Sequence, residues 1–341
     1  MSIIDTEIHT QYDALERTHE ALLDNMHAIA GAISGSKIAF LGCGSSYSIA
    51  KSAALMARLR LNVQAEAIAA GDLLIHTETY AKLLQGATIV ILSRSGETSE
   101  AVRAVEALRA RGVDFTLVSI VCVEDSTLSE LSDVAVELPW AFDESVCQTR
   151  TVTNLYYFCL MLIAGCSGDD DMIKALDWVR KQGKAFMARA EAMLKPLAKL
   201  GWTHGVVLGD AELCGICDEA ALTFKEICQL PSNYYHLLDV RHGPMVLIGK
   251  DTVVAVVLTG HALEQDLVND LVKKGALVIT YSDLPIEIEG ATNISFGAVL
   301  PHAARGVPFI QMLQLLTYYK SFETNADPDA PTGLSAWIEL K

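Results

Sequence analysis

The sequence has no long uninterrupted apolar run; none approaches the ~20 apolar residues that cross a bilayer as a helix. It also lacks an excess of positive charge. Lys and Arg number 26 against 42 Asp and Glu, a formal net charge of −16. With no basic stripe to neutralise phosphates, nucleic acid and anionic membrane surfaces are not expected partners. A small phosphorylated ligand needs only local donors and stays open. The opening residues, Met1-Ser2-Ile3-Ile4-Asp5, carry neither a basic nor an apolar segment, so no signal peptide is predicted. Metal-ligand spacing is missing too. The histidines are scattered, and most of the eight cysteines lie inside apolar runs, as buried thiols do. Cys214-Gly-Ile-Cys217 has no second pair or matching histidines for zinc and is read as structural. Reduced cysteines, a cytoplasmic location and no metal are the expectation.

What is present is a chain that is 51% hydrophobic and 20% charged, long enough for two domains with sizeable cores. From about Asp5 to Ala32, Ile8, Tyr12, Leu15, Leu22, Met26 and Ile29 recur at helical spacing, with Asp5 as N-cap. From Lys37 the pattern becomes strand, turn, helix, repeated. Strands are predicted over 38–41, 62–68, 87–92, 115–121 and 134–138, and an apolar helix over 148–164. Short connections between alternating strands and helices indicate an α/β fold with a doubly wound parallel sheet. A polar break, Ser167-Gly-Asp-Asp-Asp171, marks the domain boundary. A long helix then runs from about Met172 to Leu200, interrupted near Pro196. After it the pattern begins again. Val206-Val-Leu-Gly209 echoes Phe40-Leu-Gly42, Ala220-Ala-Leu222 echoes Ala53-Ala-Leu55, and 252–259 echoes 87–93. The chain is therefore divided into an N-terminal helix (1–33), two copies of one α/β unit (34–167 and 168–322) and a tail (323–341).

One turn in the first copy stands out: Ser93-Arg94-Ser95-Gly96-Glu97-Thr98, between a buried strand and a helix N-terminus. Free N–H groups, the helix dipole and three hydroxyls (Ser93, Ser95, Thr98) favour an anion there, and Gly96 permits close backbone approach. An ordinary capped turn has the same composition, so this stretch alone leaves both readings open. Glu97 is better placed to meet a helix N-terminus than a phosphate. The second copy has Thr259-Gly-His-Ala at the corresponding place, so only the first half looks built to hold an anion.

The second copy offers chemistry instead. Glu226 lies among apolar neighbours, which would raise its pKa toward that of a general base; an exposed Glu paired with Lys225 is the competing reading. His242, before Gly243-Pro244, suits a general acid/base near neutral pH or a satisfied loop histidine. His236 is held in reserve. Gly42-Cys-Gly44-Ser-Ser46 follows a strand and precedes a helix, but Tyr47 stands where a dinucleotide fingerprint needs its third small residue, so NAD is disfavoured and no cofactor is expected.

Together these residues resemble the sugar isomerase, or SIS-domain, family. Ser93-Arg-Ser-Gly-Glu-Thr98 is similar to its S-x-S-G-E-T phosphate loop, Gly42–Ser46 to its first turn, and Lys225-Glu226 with His242-Gly-Pro244 to the Glu and H-G-P of its double-domain members. Asp329-Ala-Pro331 to Leu334 resembles the usual tail. The nearest group by resemblance is the isomerase half of glucosamine-6-phosphate synthase and its single-chain relatives. The resemblance implies two tandem flavodoxin-like SIS domains and a homodimer with sites built across subunits. It implies that Ser93, Ser95 and Thr98 hold a phosphate, that Ser46 meets the sugar, and that Arg94 and Gln148 border the substrate. Glu226 would move a proton between C1 and C2, with His242 opening the ring. Where the synthase has two lysines, this chain has Thr223 and, near its end, Ala336; it begins Met1-Ser2-Ile3, so a glutamine-hydrolysing domain with an N-terminal Cys is not expected. Synthesis from glutamine is thus not expected. Deamination or deglycation of a phosphorylated amino sugar or ketosamine is the preferred expectation. Plain aldose–ketose isomerisation and a non-catalytic sugar-phosphate sensor remain as alternatives.

Overall fold

The computed structural model describes residues 2–33, 35, 37–335 and 340. Helix α1 (Ile3–Ala32) opens the chain. Its N-cap is Ser2, not Asp5: the Ser2 hydroxyl accepts the Asp5 N–H at 3.3 Å. Asp5 falls inside the first turn, where a negative charge suits the helix dipole.

Two parallel sheets follow. The first contains β1 (Lys37–Gly42), β2 (Gln64–Ala69), β3 (Ala87–Ser93), β4 (Phe115–Val121) and β5 (Val134–Glu137). Its connections carry α2 (Ser45–Leu61), α3 (Ala70–Ile75), α4 (Thr77–Leu84), α5 (Ser99–Ala110) and α6 (Thr127–Leu131). The spatial order β2-β1-β3-β4-β5 is that of a doubly wound, flavodoxin-like sheet. The two short helices, α3 and α6, escape sequence analysis because five or six residues are too few to show a period. Helix α7 (Arg150–Ser167) leads to α8 (Asp170–Ala198) across the polar break.

The second sheet contains β6 (His204–Leu208), β7 (Ser232–Tyr235), β8 (Thr252–Val257), β9 (Leu277–Ser282) and β10 (Ala291–Ser295). Helices α9 (Cys214–Glu226) and α10 (Ala262–Lys273) lie in its connections, and α11 (Gly306–Thr324) closes the set. Its order, β7-β6-β8-β9-β10, repeats that of the first sheet position for position.

Strand β3 is buried at every position, as is β8, which explains why both read as continuous apolar runs. One apolar core joins the inner faces of both sheets through α1, α2, α7, α8, α9 and α11. Smaller clusters cover the outer faces, with α5 on the first and α10 on the second. The halves are also tied by ions: Lys51 on α2 meets Asp218 on α9 at 2.7 Å, and Arg60 meets both Glu212 and Asp169. Helix α9 packs directly on α2: a Cβ added at Gly215 would lie 2.0 Å from the Ser48 carbonyl oxygen. This contact carries the end of α9, and with it Glu226, to the first sheet.

Candidate functional site

In a doubly wound sheet, ligands sit beyond the strand carboxyl ends where the strand order reverses. Here that point lies between β1 and β3. A cavity of about 180 Å³ opens there, lined by the turn after β1 (Cys43 to Ser46), the turn after β3 (Arg94, Ser95, Thr98), Glu100, Val146, Gln148, Glu226 and the tail residues Leu334 and Ser335.

The turn after β1 is closed tightly. A Cβ at Gly42 would lie 2.5 Å from the Ser46 carbonyl carbon, so the start of α2 can fold over β1 only with glycine there. The turn after β3 is shaped by its own hydroxyls. Ser93 Oγ accepts the Gly96 N–H at 3.0 Å and lies 3.1 Å from Thr98 Oγ1; Ser95 Oγ accepts the Glu97 N–H at 3.1 Å. Gly96 has φ +66° and presses on Ser126. Glu97 turns away from the cavity and accepts from Thr127 N–H and Oγ1 at 2.6 and 2.7 Å. It does meet a helix N-terminus, that of α6 rather than of its own helix. Thr98, the N-cap of α5, makes no side-chain cap, which leaves the first-turn amides of α5 to other partners. Ser93 is thus a brace of the turn and does not line the cavity, whereas Ser95 and Thr98 do.

Arg94 is buried, with 6% exposure, and donates to the carbonyls of Ser145 and Val146 at 2.8 and 3.1 Å while bordering the cavity. Gln148 borders it too, and its buried side-chain oxygen has no protein partner among the described residues. Glu226 enters from the last turn of α9. Burial pushes its pKa up to about 7, against the opposing pull of the Arg94 and Lys225 cations. That is the range in which a carboxylate takes and returns protons at neutral pH.

Sequence reasoning missed Glu219. It lies seven residues before Glu226, two turns down the same helix face, with 1% exposure. Burial first, and the neighbouring Glu226 next, hold its pKa well above the carboxylate range; the Ser45 hydroxyl bonds to it, and its Oε2 has no partner among the described residues. The Glu219/Glu226 spacing was the signal available. Thr223, between them, turns its hydroxyl to the Ala220 carbonyl at 2.8 Å and brings no charge. Ala336 lies outside the described residues. Among the described residues no cluster of three or more His, Cys, Asp or Glu is placed to hold a metal ion.

Within one chain, His242 does not join Glu226. It follows a short turn of helix (Asp239–Arg241), is exposed, and lines no part of this cavity. His236 is likewise elsewhere, 3.0 Å from Asp210 at the end of the second sheet. The tail does join: Asp329 accepts the Ile3 and Ile4 N–H groups at the start of α1, and Gln229 donates to the Thr332 carbonyl, which seats Leu334 and Ser335 over the cavity.

Residues 33–164 match the family model of the SIS domain. These residues contain the first sheet and both turns that line the cavity. The chain is 26% identical, over 98% of its length, to 57% of a glutamine–fructose-6-phosphate aminotransferase (isomerizing) of Pyrobaculum aerophilum. It is also 26% identical, over 74% of its length, to 44% of the enzyme of that name from Vibrio parahaemolyticus. The chain spans about half the length of the curated relatives it matches. Among solved structures, a glucosamine-6-phosphate deaminase of Thermotoga maritima aligns over 99% of this chain and 100% of its own, with TM-score 0.86 and 24% identity. A tagatose-6-phosphate ketose/aldose isomerase of Escherichia coli aligns over 100% and 96%, with TM-score 0.83 and 21% identity. At these identities the structural likeness establishes the fold.

Proposed function

We propose that the protein is a sugar-phosphate enzyme that moves a proton between C1 and C2 of a phosphorylated amino sugar or ketosamine, with loss of the amine. The observation that carries this reading is the meeting of a carboxylate titrating near neutrality, Glu226, with the hydroxyl-rich turn 93–98 across one cavity. Ser95, Thr98 and the amides of the turn bind the phosphate, braced by Ser93. Binding energy from the phosphate, remote from the reacting carbons, holds C1 and C2 against Glu226. With an open-chain 2-amino-2-deoxy aldose phosphate, the Glu226 carboxylate takes the C2 proton, and the electron pair forms the C1=C2 enaminol as the C1 oxygen gains a proton. Glu226 returns its proton to C1, leaving an iminium at C2. Water adds to that carbon and ammonia departs, giving the ketose phosphate. Glu219, two turns down the same helix and bonded to Ser45, has its pKa raised by burial and by Glu226, which disfavours a second negative charge beside the base.

The second half is read as a second SIS-type unit, supported by its repeated strand order. His242 is assigned to ring opening in the site of a second copy, which fits its exposure beside the exposed Val246 and Leu247. Plain aldose–ketose isomerisation uses the same proton transfer without an amine and is separated by substrate. The test is incubation with glucosamine 6-phosphate, galactosamine 6-phosphate, fructosamine-type 6-phosphate adducts and hexose 6-phosphates, following ammonia, amino acid and ketose. Release of ammonia or amino acid, abolished in Glu226→Gln while phosphate-ester binding persists, is the expected result. Turnover of hexose phosphates alone assigns the isomerase; full activity in Glu226→Gln removes the mechanism.

A further inference from the structure

Resting on that reading of the cavity, the structure assigns a task to a residue outside it. We propose that Glu7, on helix α1, is a positioning residue: it fixes the 144–146 backbone, which in turn holds the Arg94 guanidinium at the border of the cavity that Glu226 also lines. Glu7 is 3% exposed. One of its carboxylate oxygens accepts the N–H groups of Glu144 and Ser145 at 2.6 and 3.1 Å, and the other meets the Ser145 hydroxyl. The carbonyls of the same segment, Ser145 and Val146, are the acceptors that Arg94 grips. One short stretch is therefore held from one side by an anion through its amides and from the other by a cation through its carbonyls.

A buried carboxylate is costly unless several donors converge on it. Glu7 satisfies that condition only with the segment in this conformation. Asp143, also buried, adds a second anchor by accepting the Thr149 and Thr151 N–H groups at 2.7 and 2.9 Å, and Arg150 stands 3.8 Å from it. Between the two anchors lie Val146 and Gln148, both bordering the cavity. The groups that bear on the Glu226 charge are Lys225 from its own helix, Arg94 from the turn after β3, Glu219 two turns earlier, and the Cys147 thiol from the 143–149 loop. Of these, Arg94 lowers the Glu226 pKa most. Loosening its carbonyl grip weakens that pull, and Glu226 then holds its proton to higher pH.

A merely structural Glu7 would change stability and leave the titration of Glu226 alone. The experiment is an NMR titration of ¹³C-glutamate-labelled protein, with the Glu226 carboxyl identified by its loss in Glu226→Gln, comparing the native chain with Glu7→Gln. The expected result is an upward displacement of the Glu226 titration by about half a pH unit or more. The acidic limb of kcat/KM for glucosamine 6-phosphate should move by the same amount. An unmoved Glu226 titration in folded Glu7→Gln overturns the proposal. If Glu7→Gln does not fold, Ser145→Ala removes one of the three donors to Glu7 and should give a smaller displacement in the same direction; none overturns it. The NMR readout needs no substrate. A native chain that turns over no sugar phosphate would defeat the function proposed above, while the titration alone still decides the role of Glu7.

Discussion

Glu226 and Glu219 share a helix face, and burial raises the pKa of both, but their neighbours differ. Arg94 and Lys225 draw Glu226 back to about 7, whereas burial and the neighbouring Glu226 hold the Glu219 pKa well above the carboxylate range, with Ser45 as its main stabilising partner. Below its pKa Glu226 carries its proton and cannot act as a base. On the proposed mechanism, kcat/KM of the native protein should therefore fall about tenfold per unit as pH drops below about 7. A rate flat from about pH 5.5 to 8 would remove Glu226 as the base. Asp143 gives a stability counterpart. Burial first, then repulsion from Glu7, pushes its pKa up to about 7 in the folded chain, above the ordinary carboxylate value. A group raised in this way contributes stability that is present below the ordinary carboxylate pKa and lost as pH rises through about 7. Asp143→Asn keeps an oxygen for the Thr149 and Thr151 amides without the charge. Its melting temperature relative to the native chain should climb between about pH 4 and 7 and level off above; a constant difference would mean that the Asp143 pKa is not raised in the folded chain.

The two strand-to-helix turns at corresponding places in the sheets show one local design used in two ways. After β3 the turn is braced by hydroxyls and opens on the cavity. After β8 the Glu264 carboxylate folds back to accept the N–H groups of Thr259, Gly260 and His261 at 2.7, 3.0 and 3.2 Å, within a capping box. The chain's own carboxylate thus sits where a ligand anion would. Glu264→Ala should cost about 1 kcal/mol of stability in urea titration, with no change in inorganic phosphate affinity. Gly96→Ala should do the reverse damage. Its Cβ would lie 2.2 Å from Ser126 Oγ at a φ of +66° that L residues resist, so the turn must rearrange. Phosphate affinity by calorimetry should drop about tenfold or more.

Across the whole molecule, the first sheet supplies the turns that line the cavity and the helix after β6 in the second half brings Glu226 to it, with α9 packed on α2. His242 stays outside, next to Val246 and Leu247, which are 81% and 68% exposed. If a second copy covers this face and lends His242, then Glu226→Gln and His242→Ala chains are each inactive alone but complementary when mixed. In a twofold dimer formed at random, half the molecules are hybrids with one intact site of two, so about a quarter of native activity should return. No recovery after the subunits exchange would place His242 outside the site.

The fold was legible in the order of residues because the central strands β3 and β8 are apolar runs and the turns after β1 and β3 are marked by glycine and hydroxyls. Repeated spacing alone announced the second sheet. The hydroxyl-rich turn 93–98 at a strand carboxyl end was legible as well, because a strand, its turn and the helix after it are contiguous in the chain. Ser2 displaced Asp5 as the cap because helix ends answer to local hydrogen bonds that spacing does not reveal. Which hydroxyl lines the cavity and which braces the turn, that Glu219 is buried beneath Glu226 with a raised pKa, and that Glu7 grips a loop 137 residues away were decided only by the tertiary structure. Periodicity reports which face of an element is buried. Proton affinity and ligand contact depend on what that face meets, and those neighbours come from distant parts of the chain.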